Sequence, residues 1–160
     1  MIARTFGSSR FVYNYFLSLR KNTYETTGET IGFVKSSAML TQLKKELTWL
    51  KEVDSIPLQE ALRDLDFAYQ HFFRRVKQGE KPGYPHFKSK RDKRKSYKTK
   101  QHISNGKPTI WVASCHVRLP KLGLVKCRIS KEVKGRILSA TVSQNSSGKY
   151  FVSLCCTDVE

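Results

Sequence analysis

The apolar residues between Ser55 and Lys77 keep the spacing of one long amphipathic helix. They recur every three or four positions over about five turns, as in a helix with one buried face. The apolar positions are Leu58, Leu62, Leu65, Tyr69, Phe72 and Val76. Pro57 lies in the first turn, where a missing N–H leaves no hydrogen bond unmade, and Gly79 and Pro82 end the pattern. The sequence predicts a helix over Ser55–Lys77 with Ser55 at its N-cap.

Two shorter helices are predicted before it. In Arg10–Glu25, apolar residues occur at positions i, i+1, i+4, i+5 and i+8, which lie on one helix face. In Ser36–Leu50, leucines repeat at three or four residues, and Ser36 or Ser37 can cap the start.

Beyond residue 95 the sequence changes from a helical to a strand pattern. Short runs rich in β-branched and aromatic residues are separated by Pro or Gly, and residues 135–156 have the pattern of a hairpin with an NSSG turn. Short strands at close spacing are typical of a small barrel or a strongly bent sheet. We therefore predict an α+β fold: about three helices over residues 1–78, a basic connector over 79–100, and a small antiparallel β-barrel over 101–160.

Positive charge is concentrated in the middle of the chain. The 160 residues carry a net charge of +17, to which residues 74–100 contribute +10, from twelve Lys/Arg against two Asp/Glu. Residues 1–73 contribute only +1. Such a field attracts phosphate polyanions through Coulomb attraction and counterion release. An anionic membrane surface would need a basic amphipathic helix, which Pro82, Gly83 and Pro85 prevent here.

The cysteine pattern and the N-terminus indicate a cytoplasmic protein. The four cysteines are too few and too scattered for a disulfide framework, and none forms a C-x-x-C pair. The N-terminus lacks the uninterrupted apolar segment of a secretory signal, and no apolar run reaches the roughly 20 residues of a membrane span. We expect reduced thiols, a nucleic-acid partner and no membrane partner.

The stretch GYPHFKSKRDKRKSYKTK, residues 83–100, mixes aromatic side chains with cations. Two interpretations of its aromatics stay open: Tyr84 and Phe87 either stack on bases or anchor the connector as hydrophobic side chains. The cations would follow phosphates in either case. The predicted phosphate-binding residues are Arg74, Arg75, Lys77, Lys88, Lys90, Arg91, Lys93, Arg94, Lys95, Lys98 and Lys100.

No constellation for catalysis stands out in the sequence. From residue 81 onward the acidic residues are Asp92, Glu132, Asp158 and Glu160. They are too dispersed to predict the carboxylate cluster that two-metal chemistry needs. Cys115, His116 and Cys127 do not have the spacing of a common zinc site. We predict no catalytic residue, no metal and no cofactor in this chain.

Gln59 is a candidate for reading bases. It lies near the start of the third predicted helix, and an amide at a helix N-terminus can enter a DNA groove and pair with adenine. The spacing alone favours an ordinary solvated glutamine.

Four segments, in this order, resemble the TnpB family, the accessory OrfB proteins of bacterial and archaeal insertion sequences. They are GSSRFVYNYFLSLRK, LTWLKEVDSIPLQEALRDLDFAYQHFFR, GYPHFKSKRDKRKSYKTK and VRLPKLGLVKCRI. The resemblance covers about residues 5–157 and implies a wedge β-barrel interrupted by a helical recognition domain. In the family these parts bind a guide RNA scaffold and target-adjacent DNA, and a RuvC-like nuclease domain with a zinc-binding insert cuts DNA with magnesium.

The chain departs from the family pattern at both ends. Family members usually have a strand and a short helix before the GSSRFVYN motif, so we expect an incomplete wedge barrel. The family's catalytic and zinc-binding residues lie beyond the last motif found here, and Asp158 and Glu160 match none of them. By motif, the residues placed near target-adjacent DNA are Phe33, Ser37, Ser55, Gln59 and Thr99. The family is usually more basic at Ser55 and His86, which weakens the expected contacts there.

We therefore expect a nucleic-acid-binding N-terminal part of a TnpB-like transposon protein, with DNA and guide RNA as partners and without its nuclease and zinc-binding domains. Three alternatives stay open. The first is a stand-alone DNA-binding regulator that does not cut. The second is one half of a split RNA-guided nuclease that assembles with a separately encoded nuclease half. The third is a degenerate product without function.

Overall fold

Three α-helices precede eight strands in the computed structural model, which describes residues 1–159. The helices are α1 (Ile2–Thr27), α2 (Phe33–Glu46) and α3 (Ser55–Lys77), and a 3₁₀ helix spans Thr48–Glu52. The strands are β1 (Lys95–Lys100), β2 (Ile103–Ser104), β3 (Lys107–Pro108), β4 (Trp111–Ala113), β5 (His116–Leu119), β6 (Gly123–Lys126), β7 (Arg136–Gln144) and β8 (Tyr150–Thr157). The α+β fold class predicted from the sequence is confirmed.

The helical unit, Gly7–Asp92, is built around one apolar core. Helix α3 contributes Leu58, Leu62, Leu65 and Tyr69, the first four positions of its predicted apolar face, and all four are buried. The other core residues are Val12, Tyr13, Phe16, Leu17, Leu40, Leu43, Leu50, Val53 and Ala61. Phe72 and Val76, the last two predicted positions, are not part of this core, and Val76 is half exposed.

The sheet unit combines Met1–Phe6 with the chain from Lys93 onward. Its strands form three antiparallel sheets, with strand orders β1-β7-β8, β2-β3 and β4-β5-β6. Strands β7 and β8 form the predicted hairpin, in which Gln144 lies opposite Tyr150. No closed barrel forms among the strands of residues 1–159. The core of this unit consists of Phe6, Tyr97, Ile110, Val117, Leu119, Ala140 and Val142.

Helix α1 begins at Ile2 rather than at the predicted Arg10. The added segment is rich in Thr, Ser and Gly, so it carries no apolar period that could be recognised. Thr5 and Ser8 are nevertheless buried, and the Thr5 hydroxyl donates a hydrogen bond of 3.0 Å to the Met1 carbonyl oxygen. This bond satisfies the hydroxyl within the helix, where a polar pattern would otherwise favour a cap or turn.

The predicted N-cap of α2 is wrong. The helix begins at Phe33, with Gly32 in extended conformation at the N-cap. Ser36 and Ser37 therefore lie inside the helix, and the Ser36 hydroxyl donates to the Gly32 carbonyl oxygen at 2.8 Å. A serine that bonds back to the preceding turn gives the same sequence signal as a serine that caps.

The predicted N-cap of α3 is also wrong, by one residue. The Asp54 carboxylate accepts a hydrogen bond of 3.1 Å from the Ile56 N–H, so Asp54 is the cap and Ser55 is the first helical residue. Aspartate and serine are comparable caps, and the negative charge of aspartate also suits the positive end of the helix dipole.

The predicted basic connector is too long at its C-terminal end. Residues 95–100 form β1, which pairs antiparallel with β7. Tyr97 and Thr99 are buried while Lys98 is exposed, as expected of a strand with one buried face. The alternating lysines interrupt the apolar run, so the sequence pattern did not predict this strand. We use "connector" below for residues 79–92, which have neither helix nor strand and belong to the helical unit.

Candidate nucleic-acid interface

Three of the predicted DNA-contacting residues lie together near the starts of α2 and α3. The Ser37 hydroxyl donates a hydrogen bond of 2.7 Å to Gln59 Oε1, although the two residues are 22 positions apart in sequence. Phe33 lies one turn before Ser37, and Arg63 lies one turn after Gln59, so each pair shares a helix face. The guanidinium carbon of Arg63 lies 4.7 Å from the centre of the Phe33 ring. We call Phe33, Ser37, Gln59 and Arg63 the helix-start cluster.

The hydrogen bond from Ser37 fixes the direction of the Gln59 amide. Oε1 uses one lone pair on the Ser37 hydroxyl and keeps a second, and Nε2 carries two donors. Within residues 1–159 these donors have no hydrogen-bond partner. Bidentate pairing with adenine requires one acceptor and one donor on the same amide. Gln59 therefore retains both groups while its orientation is held.

Arg63 is a member of this cluster that the sequence analysis did not predict. Its Nε lies 3.8 Å from Glu60 Oε1, and its side chain is 45 % exposed. Its guanidinium lies over the Phe33 ring, and a guanidinium carries five N–H donors. The sequence feature that could have identified Arg63 is its i,i+4 spacing from Gln59, which places both residues on one helix face.

Asn14 of α1 fixes the connector at Lys88. Asn14 Nδ2 donates to the Lys88 carbonyl oxygen and Asn14 Oδ1 accepts from the Lys88 N–H, both at 2.8 Å. The Lys88 ammonium lies 4.3 Å from the centre of the Tyr13 ring. Burial raises the pKa of Tyr13 above its ordinary value, and Asp64 adds to the rise, so this ring stays neutral. The backbone and the side chain of Lys88 are both held on α1.

Asp92 stabilises a turn at the end of the connector. Its carboxylate accepts a hydrogen bond of 3.1 Å from the Ser89 N–H, and its own N–H donates to the Ser89 carbonyl oxygen at 3.2 Å. No other acidic residue occurs between residues 81 and 131. Within residues 1–159 this carboxylate bonds the backbone of the turn and forms no ion pair. Four exposed cations next to this turn have no ion-pair partner in residues 1–159: Lys90, Arg91, Lys93 and Arg94.

The two aromatics of the connector have different environments. The Tyr84 ring packs against Phe72, with ring centres 4.5 Å apart, and against Tyr69 at 6.2 Å. Tyr84 is thus a hydrophobic anchor, one of the two interpretations of the sequence, although 42 % of it is still exposed. Phe87 is 54 % exposed, and the Lys21 ammonium lies 5.7 Å from its ring centre. Phe87 has the exposure that stacking on a base requires.

The remaining predicted residues lie in two places. Arg74, Arg75 and Lys77 are exposed in the last turn of α3, where cations also suit the negative end of the helix dipole. Ser55 is exposed at the start of the same helix. Those on or next to β1, in the sheet unit, are Lys93, Arg94, Lys95, Lys98, Thr99 and Lys100. Thr99 is only 1 % exposed, so its side chain is not on the surface where the resemblance implied a DNA contact.

Metal-ligating and acidic side chains are dispersed in the described part of the chain. Within residues 1–159 no three His, Cys, Asp or Glu side chains lie close enough together to hold a metal ion. The Asp158 carboxylate lies 3.8 Å from Arg136 Nε, and Glu160 lies outside the described residues. Among the helices of residues 1–159, none is long and apolar enough to cross a membrane.

Two known proteins are similar in sequence to this chain over nearly its whole length. Residues 1–29 match a family described as the helix-turn-helix domain of IS605-type OrfB proteins. The chain is 33 % identical over 150 residues to "Putative RNA-guided DNA endonuclease InsQ" of Escherichia coli K12, a match that covers 92 % of this chain. It is 34 % identical over 167 residues to "Putative RNA-guided DNA endonuclease" of Streptomyces pristinaespiralis, which covers 98 % of it. This chain belongs to the TnpB/OrfB family.

The TnpB/OrfB chain spans 34 % and 38 % of the lengths of those two relatives. It is also 34 % identical over 97 residues to "Virulence protein VsdF" of Salmonella dublin, a match that covers 55 % of this chain and 79 % of that protein. The residues that match the helix-turn-helix family form a single helix here, α1, and the next helix begins only at Phe33. The likeness to the two long relatives extends far beyond α1, because it covers nearly all of the chain.

Proposed function

We propose that this TnpB/OrfB chain binds nucleic acid, and that its helical unit contacts both guide RNA and target-adjacent DNA. The observation that carries the proposal is the arrangement of the connector. Seven exposed cations lie between residues 74 and 92, and Asn14 and Asp92 hold the loop that carries several of them. A loop that is already held in one conformation loses less conformational entropy when it binds. Cations on such a loop that have no ion-pair partner among the described residues suit phosphates.

The helix-start cluster supports a DNA partner in particular. Phosphate contacts position a protein on nucleic acid, whereas contacts to base edges specify the sequence. Gln59 keeps an acceptor and two donors while Ser37 holds it in place, and Arg63 adds a half-exposed guanidinium one turn away. We propose that this cluster reads bases of target-adjacent DNA and that the connector holds phosphates. The lysines and arginines on and before β1 are proposed as further phosphate contacts.

The proposal is tested by the salt dependence of binding. If roughly six cations meet phosphates, the logarithm of the affinity falls with the logarithm of salt concentration at a slope of about −5. The measurement is a filter-binding titration with a DNA duplex and with a structured RNA. Substituting Lys81, Lys90 and Arg91 together by Ala should flatten the slope by about three.

The matched control removes the same charge elsewhere. Lys107, Lys126 and Lys131 are exposed in the sheet unit, and their joint substitution by Ala changes the net charge equally. We expect it to change the slope less than the connector variant does. A flat slope for the wild type, or equal effects of the two triple variants, would contradict binding through the connector.

We propose that the described residues bind without cutting. In support, the carboxylates of residues 1–159 are dispersed or engaged with basic groups and backbone N–H groups. Cutting would then depend on a nuclease partner, with cytoplasmic DNA as the substrate and RNA as the guide. Purified chain with magnesium, guide RNA and a matching target should leave the DNA intact. Guide-dependent cleavage that is lost in Asp158→Ala would overturn this.

A further inference from the structure

An aromatic cleft lies beside the connector, within the helical unit. Its volume is about 240 Å³, and it is lined by residues of α1, of the loop after α1, of the second half of α3, and of the connector. Its lining includes Arg20, Tyr24, Tyr69, Phe72, Phe73 and Tyr84. Tyr24, Phe73 and Tyr84 are 55 %, 45 % and 42 % exposed, so the cleft opens to solvent between aromatic rings.

One polar group in this cleft lacks a partner. Tyr69 is 6 % exposed, and its hydroxyl is buried without a hydrogen bond from or to any described residue. A buried hydroxyl that makes no hydrogen bond is destabilising, and most such groups in folded proteins are satisfied. The charged side chain of the cleft, Arg20, is already engaged, because its guanidinium lies over the Tyr69 ring at 4.0 Å and bonds Asp66 at 3.3 Å. The Tyr69 hydroxyl is thus an unpartnered polar group within the wall of the cleft.

Two cations lie near Tyr84, one of the rings that line the cleft. The Lys21 ammonium lies 5.6 Å from the centre of the Tyr84 ring. A guanidinium nitrogen of Arg75 comes so close to Gly83 that a Cβ there would lie only 3.0 Å from it, which places Arg75 against the residue before Tyr84. A ligand whose aromatic part enters the cleft would therefore hold its nearby anionic groups close to Lys21 and Arg75.

We infer that this cleft takes a single unstacked nucleobase of single-stranded nucleic acid, and this inference rests on the proposed nucleic-acid binding. The cleft is smaller than the roughly 300–1,000 Å³ of sites for drug-sized ligands, so it suits one planar ring system. Bases within a duplex are stacked and cannot offer a face to an aromatic ring, whereas unpaired bases stack on such rings in any sequence. The exposed rings of Tyr24, Phe73 and Tyr84 stack on the base, and Lys21 and Arg75 bind the flanking phosphates.

The test uses a short single strand that carries one fluorescent 2-aminopurine, prepared once as RNA and once as DNA. Stacking quenches this base, so wild-type protein should quench it on binding, and the two strands show which sugar is accepted. Phe73→Ala removes a half-exposed ring of the cleft and should weaken single-strand binding roughly tenfold. Tyr69→Phe keeps the ring and removes only the buried hydroxyl, so it should leave single-strand binding unchanged.

The matched control is Phe67→Ala. Phe67 is 48 % exposed on the same helix but does not line the cleft, so its loss should leave the quenching unchanged. Binding of a fully paired duplex should be the same in all four proteins. Equal quenching by the Phe73→Ala and Phe67→Ala variants, with duplex binding intact, would overturn the cleft inference alone. Failure of the wild type to bind any duplex or single strand would overturn the proposed function and this inference together.

Discussion

Asn14 holds the backbone of Lys88 through two hydrogen bonds of 2.8 Å, across 74 residues of sequence. An asparagine is suited to this position because its side chain carries the same donor and acceptor as a peptide group. The pair joins the middle of α1 to the most basic part of the helical unit. It determines where the cations on both sides of Lys88 can lie.

We expect Asn14→Ala to release the connector. The loss of two hydrogen bonds should lower the free energy of unfolding by about 1–3 kcal/mol. It should also speed trypsin cleavage within residues 88–92 severalfold, because the loop would then leave α1 more often. The measurement is limited proteolysis with cleavage sites identified by mass spectrometry. Asn22→Ala, at an exposed asparagine of the same helix, is the control, and equal cleavage of both variants would contradict the anchoring role.

We expect Gln59→Ala to weaken binding to the preferred DNA motif by about 1–3 kcal/mol and to leave non-specific binding almost unchanged. Ser37→Ala should reduce the same preference, because the Gln59 amide loses the bond that orients it. The effects of the two substitutions should be less than additive in the double variant. The measurement is selection from a duplex library followed by sequencing.

Gln42→Ala is the control for that selection, since Gln42 is an exposed glutamine of α2 outside the helix-start cluster. Its motif preference should equal that of the wild type. A uniform loss of affinity for all duplexes in Gln59→Ala would indicate a phosphate contact or a folding defect, and strictly additive effects would mean that Ser37 does not act through Gln59.

We expect Arg63→Lys to lose part of the sequence preference although it keeps the charge. A lysine ammonium is a point charge and cannot reproduce a planar guanidinium that lies over the Phe33 ring and donates in fixed directions. The salt slope should stay unchanged while the selected motif becomes less distinct. If the selected motif is unaltered and only the salt slope changes, Arg63 binds phosphate and does not read bases.

We expect the protein to lose stability as the pH rises above about 10. Burial raises the pKa of Tyr69 above its ordinary value, the Tyr84 phenol adds to the rise, and Arg20 opposes it. The phenol ionises near pH 10 in the unfolded chain and only at higher pH in the folded protein. Its contribution to the free energy of unfolding is therefore complete below about pH 10 and is lost as the pH rises further. Tyr69→Phe should lose less stability between about pH 9 and pH 11. The measurement is the urea midpoint, with the exposed Tyr24→Phe as the control, and equal alkaline losses would contradict the assignment.

Local pattern was sufficient for the elements that bury one regular face. The spacing of Leu58, Leu62 and Leu65 predicted α3 from Ser55 to Lys77, and the structure has the same bounds. Alternation and an NSSG turn predicted the β7–β8 hairpin. The pattern did not predict the start of α1 or strand β1, where polar residues such as Thr5 and Thr99 are buried. Their burial depends on partners that are distant in sequence or on backbone hydrogen bonds, and composition reveals neither.

The sequence by itself determined the fold class, the family motifs and the concentration of positive charge, since these depend on residue type and on spacing along one chain. Only the tertiary structure decided which of those residues act together. Three contacts form because separate elements pack side by side: Ser37 with Gln59, Arg63 with Phe33, and Asn14 with Lys88. Spacing along the chain does not encode those distances. The same packing left the Tyr69 hydroxyl buried and unpaired beside three half-exposed rings, a combination that no linear pattern predicts.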